Sequence, residues 1–465
     1  MLSILNRRLR LCDGISRREA MRIGGVAALG LSLPMLNAQP ALAADNAATR
    51  PASAKSVILF WLSGGPPQHE TWDPKPDAPT DIRGDYGTIS TRVSGLQIGE
   101  LMPQTAKLID HIAVLRAVVS DDNAHSSSGY QMLTGVPHQP RNLENATAKK
   151  PNLHPSLGAM VRRFLPDSPG LPSAVTLPRH IANTGEIVWP GQDAGFMGRR
   201  YDPWLVTCDP SAADFHPPVL DLPEGLSAER FHDRRRLLQE LNRQIKYLPG
   251  ASEVVEHAFY DQQAYQLVSE GGSRDAFNLD QESSSVRDRY GRTKFAQSVL
   301  LARRLVERGV RLVQVNWQQI EGKPNFGSWD THAKHSECLK DHLMPIMDQS
   351  YSALLEDLHD RGMLDDTLVA WVGEFGHTPK FNNNAGRDHW GRVFSVALAG
   401  GGIQGGRVWG RSDKHAADPV EGRIEPQDIT ATILHCLGIS PSLEYNDDQG
   451  RPLPLSRGNV IEAIL

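Results

Sequence analysis

Five short segments of this 465-residue chain carry side chains that can do chemistry. Gly64-Gly65-Pro66-Pro67-Gln68-His69-Glu70-Thr71-Trp72-Asp73 sets an imidazole and two carboxylates, Glu70 and Asp73, in one stretch. Asp121 to Gly129 places His125 beside the hydroxyls of Ser126, Ser127 and Ser128. Trp329-Asp330-Thr331-His332 and Gly386-Arg387-Asp388-His389-Trp390 each combine Asp with His, and Glu374 opens Glu374-Phe375-Gly376-His377. Each segment alone has an ordinary reading. An Asp-x-His is a hydrogen-bonded loop pair, Glu374 is a helix cap or salt-bridge partner, and His389 is a satisfied core histidine. Together they offer a mixed carboxylate and imidazole set of at least four groups, among them Asp330, His332, Glu374 and His389. That donor mixture suits Zn²⁺ or Mn²⁺ better than Ca²⁺ or Mg²⁺, which take oxygen ligands. Arg387 beside such a set would hold an anionic oxygen of a substrate bidentately. Trp72, Trp329 and Trp390 flank the segments and are expected to pack beneath the site rather than stack on a sugar.

Scattered residues of this kind meet only if the fold brings them together. Short continuous apolar runs mark buried strands at Ser56–Leu62, Ile112–Val119, Pro172–Leu177, Arg311–Trp317, Thr367–Gly373 and Val393–Ala399. Leu339, Leu343, Ile346, Met347, Leu354, Leu355 and Leu358 recur at helical spacing, and Phe295 to Val310 forms another helix. Strands alternating with helices imply an α/β fold: a mostly parallel central sheet sandwiched by helices. Such sheets bind ligands at the carboxyl ends of their strands, which is where four of the reactive segments fall, while Gly386 to Trp390 comes just before the next strand. Residues from about 201 to 289 are polar and Arg-, Glu- and Gln-rich, and read as a helical insertion or cap. The domain proper is expected to span residues 57–465.

Residues 1–43 read as an export signal and 44–56 as a linker. Ser16-Arg17-Arg18-Glu19-Ala20-Met21 is a twin-arginine pattern, a weakly apolar run follows from Ile23 to Leu36, and Ala41-Leu42-Ala43 is a cleavage signal. The run is well short of the ~20 apolar residues a membrane span needs. The expected product is therefore periplasmic or secreted, with no membrane span after cleavage. Six arginines against Asp13 and Glu19 give the signal four positive charges. Its removal takes the formal charge from −5 to −9. An acidic chain without a basic tract argues against nucleic acid as a partner. Cys208, Cys338 and Cys436 are too few and too far apart for a disulfide scaffold or a metal knuckle; mostly buried thiols and at most one bridge are expected. The sequence leaves the oligomeric state open.

The chain from residue 55 onward resembles the secreted bacterial domain-of-unknown-function family 1501, a sulfatase-like branch of the alkaline phosphatase superfamily. The matching stretches include Thr71-Trp72-Asp73-Pro74-Lys75-Pro76, Ser127-Ser128-Gly129-Tyr130, Gly191-Gln192-Asp193-Ala194-Gly195-Phe196, Trp329-Asp330-Thr331-His332, Gly373-Glu374-Phe375-Gly376 and Gly386-Arg387-Asp388-His389-Trp390. The resemblance implies an alkaline-phosphatase-like frame and metal-dependent hydrolysis of phosphate or sulfate esters, with an anionic ester or a sulfated or phosphorylated glycan as partner. Counting back from Thr134-Gly135, the sulfatase nucleophile position falls on His125, where no formylglycine can form; Ser126 is one residue away. The superfamily's first-strand Asp has no match at Ser63, so Glu70 or Asp73 would supply it. Two functions follow. One is a hydrolase using Ser126 or a bound water as nucleophile. The other is a non-catalytic envelope protein that keeps the fold and binds an anionic glycan or a partner protein.

Overall fold

The computed structural model describes residues 51–183, 185–215, 226–245, 265, 271–323 and 327–465. The expected signal at 1–43 and the first part of the linker lie outside the described residues. Eight strands form the central sheet: β1 (Ser56–Trp61), β2 (Ile112–Val118), β3 (Ala174–Leu177), β4 (Trp204–Leu205), β5 (Leu312–Asn316), β6 (Thr367–Val372), β7 (Phe394–Ala399) and β8 (Val408–Trp409), in the order β8-β2-β7-β6-β1-β5-β3-β4. β1 pairs in parallel with β6 on one side and β5 on the other, and β3 and β4 continue the parallel run. β7 alone runs antiparallel, to both β6 and β2. The expected mostly parallel α/β sheet is present.

Alternation along the buried strands divides the core into two layers, because successive side chains leave a strand on opposite faces. Ile58, Phe60 and Leu62 of the first strand join Val369 and Trp371 on one face, whereas Val57, Leu59 and Trp61 join Leu368, Ala370 and Val372 on the other. Helix α1 (His125–Thr134), α2 (Leu157–Phe164) and α5 (Pro426–Cys436) cover the second face through Met132, Met160 and Ile433. Helices α3 (Lys294–Glu307) and α4 (Met344–Asp360) cover the first. There Phe60 meets Phe295 and Tyr351 edge-on at 5.7 and 5.4 Å. Truncating a side chain so placed costs about 3–5 kcal/mol.

The reversed direction of β7 has a consequence for the site. The chain leaves β6 at its carboxyl end and re-enters the sheet at the same edge, pairing His377 with His389 in a small antiparallel ribbon on the way. The Gly386–Trp390 segment precedes its strand, yet it lies where the segments that follow β1, β2, β5 and β6 lie.

Within 201–289 the described helices are Ala228–Ile245, Gly271–Phe277 and Ser284–Tyr290, and the segment also supplies the edge strand β4. Cys208, Cys338 and Cys436 are all free thiols. No described helix is long and apolar enough to cross a membrane.

Candidate metal centre

Two glycines allow the strand-end loops to meet. Gly64, at φ +111°, lies so close to the Trp329–Asp330 backbone that a Cβ there would sit 2.2 Å from the Asp330 nitrogen. A Cβ on Gly386 would sit 2.0 Å from the His332 carbonyl carbon. Three loops thereby touch, and Arg387 N–H donates to the Thr331 carbonyl across the second contact at 3.1 Å.

Asp330 is the centre of the resulting cluster. Its Oδ1 lies 2.8 Å from His332 Nε2 and 2.9 Å from His389 Nε2, and its Oδ2 lies 3.3 Å from His125 Nε2. The Nε2 atoms of His332 and His389 are 3.0 Å apart. Each ring is held from its other side. His389 Nδ1 lies 2.7 Å from the Asn123 carbonyl, His332 Nδ1 2.8 Å from Asp388 Oδ1, and His125 Nδ1 2.9 Å from Glu374 Oε1. A carbonyl or a carboxylate can only accept, so each Nδ1 carries a proton, and Nε2 is the ring atom that faces Asp330. Outer acceptors of this kind are what fix the imidazole ligands of a metal ion. Atoms about 2.1 Å from one cation stand ~3.0 Å apart at neighbouring octahedral positions and ~3.4 Å apart in a tetrahedron. The 2.8–3.3 Å separations about Asp330 fit that spacing, and His125, Asp330 and His389 offer ligand atoms that all lie within 4.8 Å of one another.

The carboxylates beside the rings favour their protonated forms. Burial opposes charge on His125, but hydrogen bonds with Asp330 and Glu374 outweigh it and push its pKa up to about 10. The hydrogen bond with Asp330 raises His332 to about 9 against its desolvation. Burial would raise Asp330, yet the three imidazoles hold its carboxyl far below the usual range. A divalent cation competes with those protons for the same lone pairs.

The structure brings together Asp330, His332 and His389 from the expected ligand set, and adds His125, which the sequence had placed at a nucleophile position. Glu374 is fully buried and lies on the far side of the His125 ring. Its Oε1 accepts from His125 and from Gly64 N–H at 2.7 Å, so it orients the ring rather than facing Asp330. Glu70 and Asp73 are elsewhere. Glu70 is buried against Arg387, with Nη2 2.7 Å and Nε 3.2 Å from its Oε1, and His335 Nε2 is 3.3 Å from its Oε2. Burial favours the neutral acid, but Arg387 and His335 hold Glu70 well below the usual carboxylate range. Asp73 binds Lys75 at 2.8 Å and accepts from the Ser412 hydroxyl.

Arg387 does not reach out for an anion. It is fully buried, and Glu70 and the carbonyls of Ile82, Thr378 and Pro379 occupy its donors. Ser126 is sealed as well: its hydroxyl donates to the Leu143 carbonyl at 2.9 Å and accepts from Ala146 N–H at 2.8 Å. Trp72 and Trp329 are buried, as packing residues would be. Sequence reasoning missed the orienting roles of Asp388 and the Asn123 carbonyl; the adjacency of Asp388 to His389 was the available signal. An open cleft of about 450 Å³ reaches the cluster, and His125, Asp330 and His389 form part of its wall together with Arg179, Asn183 and Gln318.

The model of the family described as "Protein of unknown function (DUF1501)" matches residues 54–465, so the chain belongs to that family. No curated protein matches it. Solved structures similar to it include the PsFucS1 sulfatase from Pseudoalteromonas sp., at 15% identity and TM-score 0.40, covering 83% of this chain and 68% of that one. The phosphonate monoester hydrolase of Agrobacterium radiobacter matches at 12% identity and TM-score 0.39, covering 87% and 76%. The lipoteichoic acid synthase LtaP from Listeria monocytogenes matches at 10% identity and TM-score 0.38, covering 83% and 73%.

Proposed function

We propose that this member of the DUF1501 family is an exported, metal-dependent hydrolase of phosphate or sulfate esters. One observation carries the reading: three imidazoles, each fixed through Nδ1, converge their Nε2 atoms on Asp330 at the wall of an open cleft. A mixed imidazole and carboxylate set fits Zn²⁺ or Mn²⁺. His125, Asp330 and His389 would hold the ion, with His332 against Asp330 beside it. When bound, such a cation supplies Lewis acidity and eases deprotonation of water. Glu374, Asp388 and the Asn123 carbonyl keep the three rings oriented. Because Ser126 is enclosed, the nucleophile is water from the cleft. Water adds to phosphorus or sulfur, the ester P–O or S–O bond breaks, and the leaving oxygen takes a proton to become the alcohol. Export rests on the twin-arginine segment, and a periplasmic or secreted location goes with it.

Protein purified without chelator is expected to hold stoichiometric zinc or manganese and to cleave an aryl phosphate or aryl sulfate. His389→Ala is expected to abolish that turnover. Absence of stoichiometric metal would overturn the reading. The sealed Ser126 hydroxyl favours a second reading, a non-catalytic envelope protein that binds an anionic glycan or a partner protein. Metal-dependent turnover lost in His389→Ala would exclude it.

A further inference from the structure

With Arg387 enclosed, the ester's negative charge needs another partner. Among the described residues lining the cleft beside Asp330, Arg179 is the one Lys or Arg. It follows the carboxyl end of β3 by two residues, so it shares the sheet edge with the imidazole cluster. Its backbone is fixed and its head group is not. Asn316, fully buried at the end of β5, donates its amide to the Arg179 carbonyl at 2.8 Å, and Gln314 holds Asn316 Oδ1 at 2.8 Å. The Arg179 side chain is 45% exposed, and its ion pair is with Glu186 at 3.4 Å, whose own side chain is 77% exposed. An ion pair so open to water contributes little and is readily exchanged for a ligand. Besides Asp330, the other carboxylate in the cleft wall is Glu144, and both its oxygens are engaged: the His125 backbone N–H donates to one at 2.8 Å and Asn183 Nδ2 to the other at 2.5 Å.

We propose that Arg179 receives the anionic group of the substrate, its planar guanidinium gripping the charged oxygens of a phosphate or sulfate ester beside the Asp330 cluster. The inference rests on the hydrolase reading for the identity of the ester. Gln318 lines the same cleft, whereas the Asn183 amide is already engaged by Glu144, Asn145 and Trp189.

Zinc-loaded wild-type protein, Arg179→Ala and Arg179→Lys would be titrated calorimetrically with inorganic phosphate and, separately, with inorganic sulfate. Saturable binding of at least one anion is expected. Arg179→Ala should weaken it tenfold or more, with Arg179→Lys in between and zinc stoichiometry unchanged in both. Equal affinity in Arg179→Ala, or no saturable binding of either anion to the wild type, would overturn the assignment. A parallel zinc titration separates the two ideas. Arg179-dependent anion binding in protein that takes up no zinc would remove the hydrolase reading and leave the anion site. Zinc uptake with Arg179-independent anion binding would do the reverse.

Discussion

Two acid–base clusters sit at the same edge of the sheet, and they are solved differently. Around Glu70 the carboxylate has its own cation. Arg387 binds it, three backbone carbonyls complete the guanidinium, and both side chains are fully enclosed. Around Asp330 no Lys or Arg among the described residues is in salt-bridge contact with the carboxylate. Three imidazoles face it instead, His332 is 44% exposed, and a cleft opens alongside. A buried charge is tolerated only when paired and hydrogen-bonded. The first cluster is a finished staple joining the Glu70 loop to the loop that carries His389. The second offers a carboxylate and imidazoles as ligands for a cation. Proximity in sequence hides this division, because Arg387 and His389 are two residues apart and serve different clusters.

Substitutions should separate the two. The largest effect is expected from Asp330→Asn, which should eliminate stoichiometric metal, measured by elemental analysis, while thermal unfolding shows a folded protein. In the staple, Arg387→Met leaves Glu70 buried without its partner and should destabilise the chain by about 3–5 kcal/mol, read from denaturant unfolding. The chains that remain folded should still bind metal. Loss of metal on Arg387→Met together with its retention on Asp330→Asn would invert the comparison. Asp388→Ala removes the acceptor that orients His332 and should weaken metal binding by roughly 10–100-fold in a competition titration.

The pH dependence sharpens the contrast further. Glu70 has a folded pKa depressed below its ordinary value. Its charged form therefore contributes stability that is fully present above the unfolded pKa, about 4.3, and is lost as pH falls through the folded value. The stability difference between wild type and Glu70→Gln should shrink progressively below about pH 4 and stay constant above about pH 6. Equal differences at all acid pH values would count against a charged Glu70. Smallest of all, Ser126→Ala should cost about 1–3 kcal/mol by leaving Ala146 N–H and the Leu143 carbonyl unpaired. It should leave metal content and ester turnover intact; a catalytic loss would restore Ser126 as nucleophile.

The strands that position the site were legible because they are continuous apolar runs bounded by Gly and polar residues. Edge strands β4 and β8 were not, since two residues are too few for any periodicity, and Val408 and Trp409 are exposed. Asp330, His332 and His389 were legible as ligand types at strand ends. The role of Arg387 was not, because its partner Glu70 lies 317 residues away and no local pattern encodes that pairing. Glu374 was read as a ligand from its position just past the end of β6, yet the ring of His125 stands between it and Asp330. Ligand type follows from sequence; which atom of a ring faces inward follows only from the acceptor behind it.

The central claim is that Asp330, His125 and His389 hold one divalent cation. The most direct test is calorimetric titration of chelator-stripped full-length protein with Zn²⁺ and Mn²⁺, beside His389→Ala. One tight site per chain in the wild type, lost in a His389→Ala protein that remains folded, is the predicted result. No stoichiometric binding, or equal binding by His389→Ala, would contradict it.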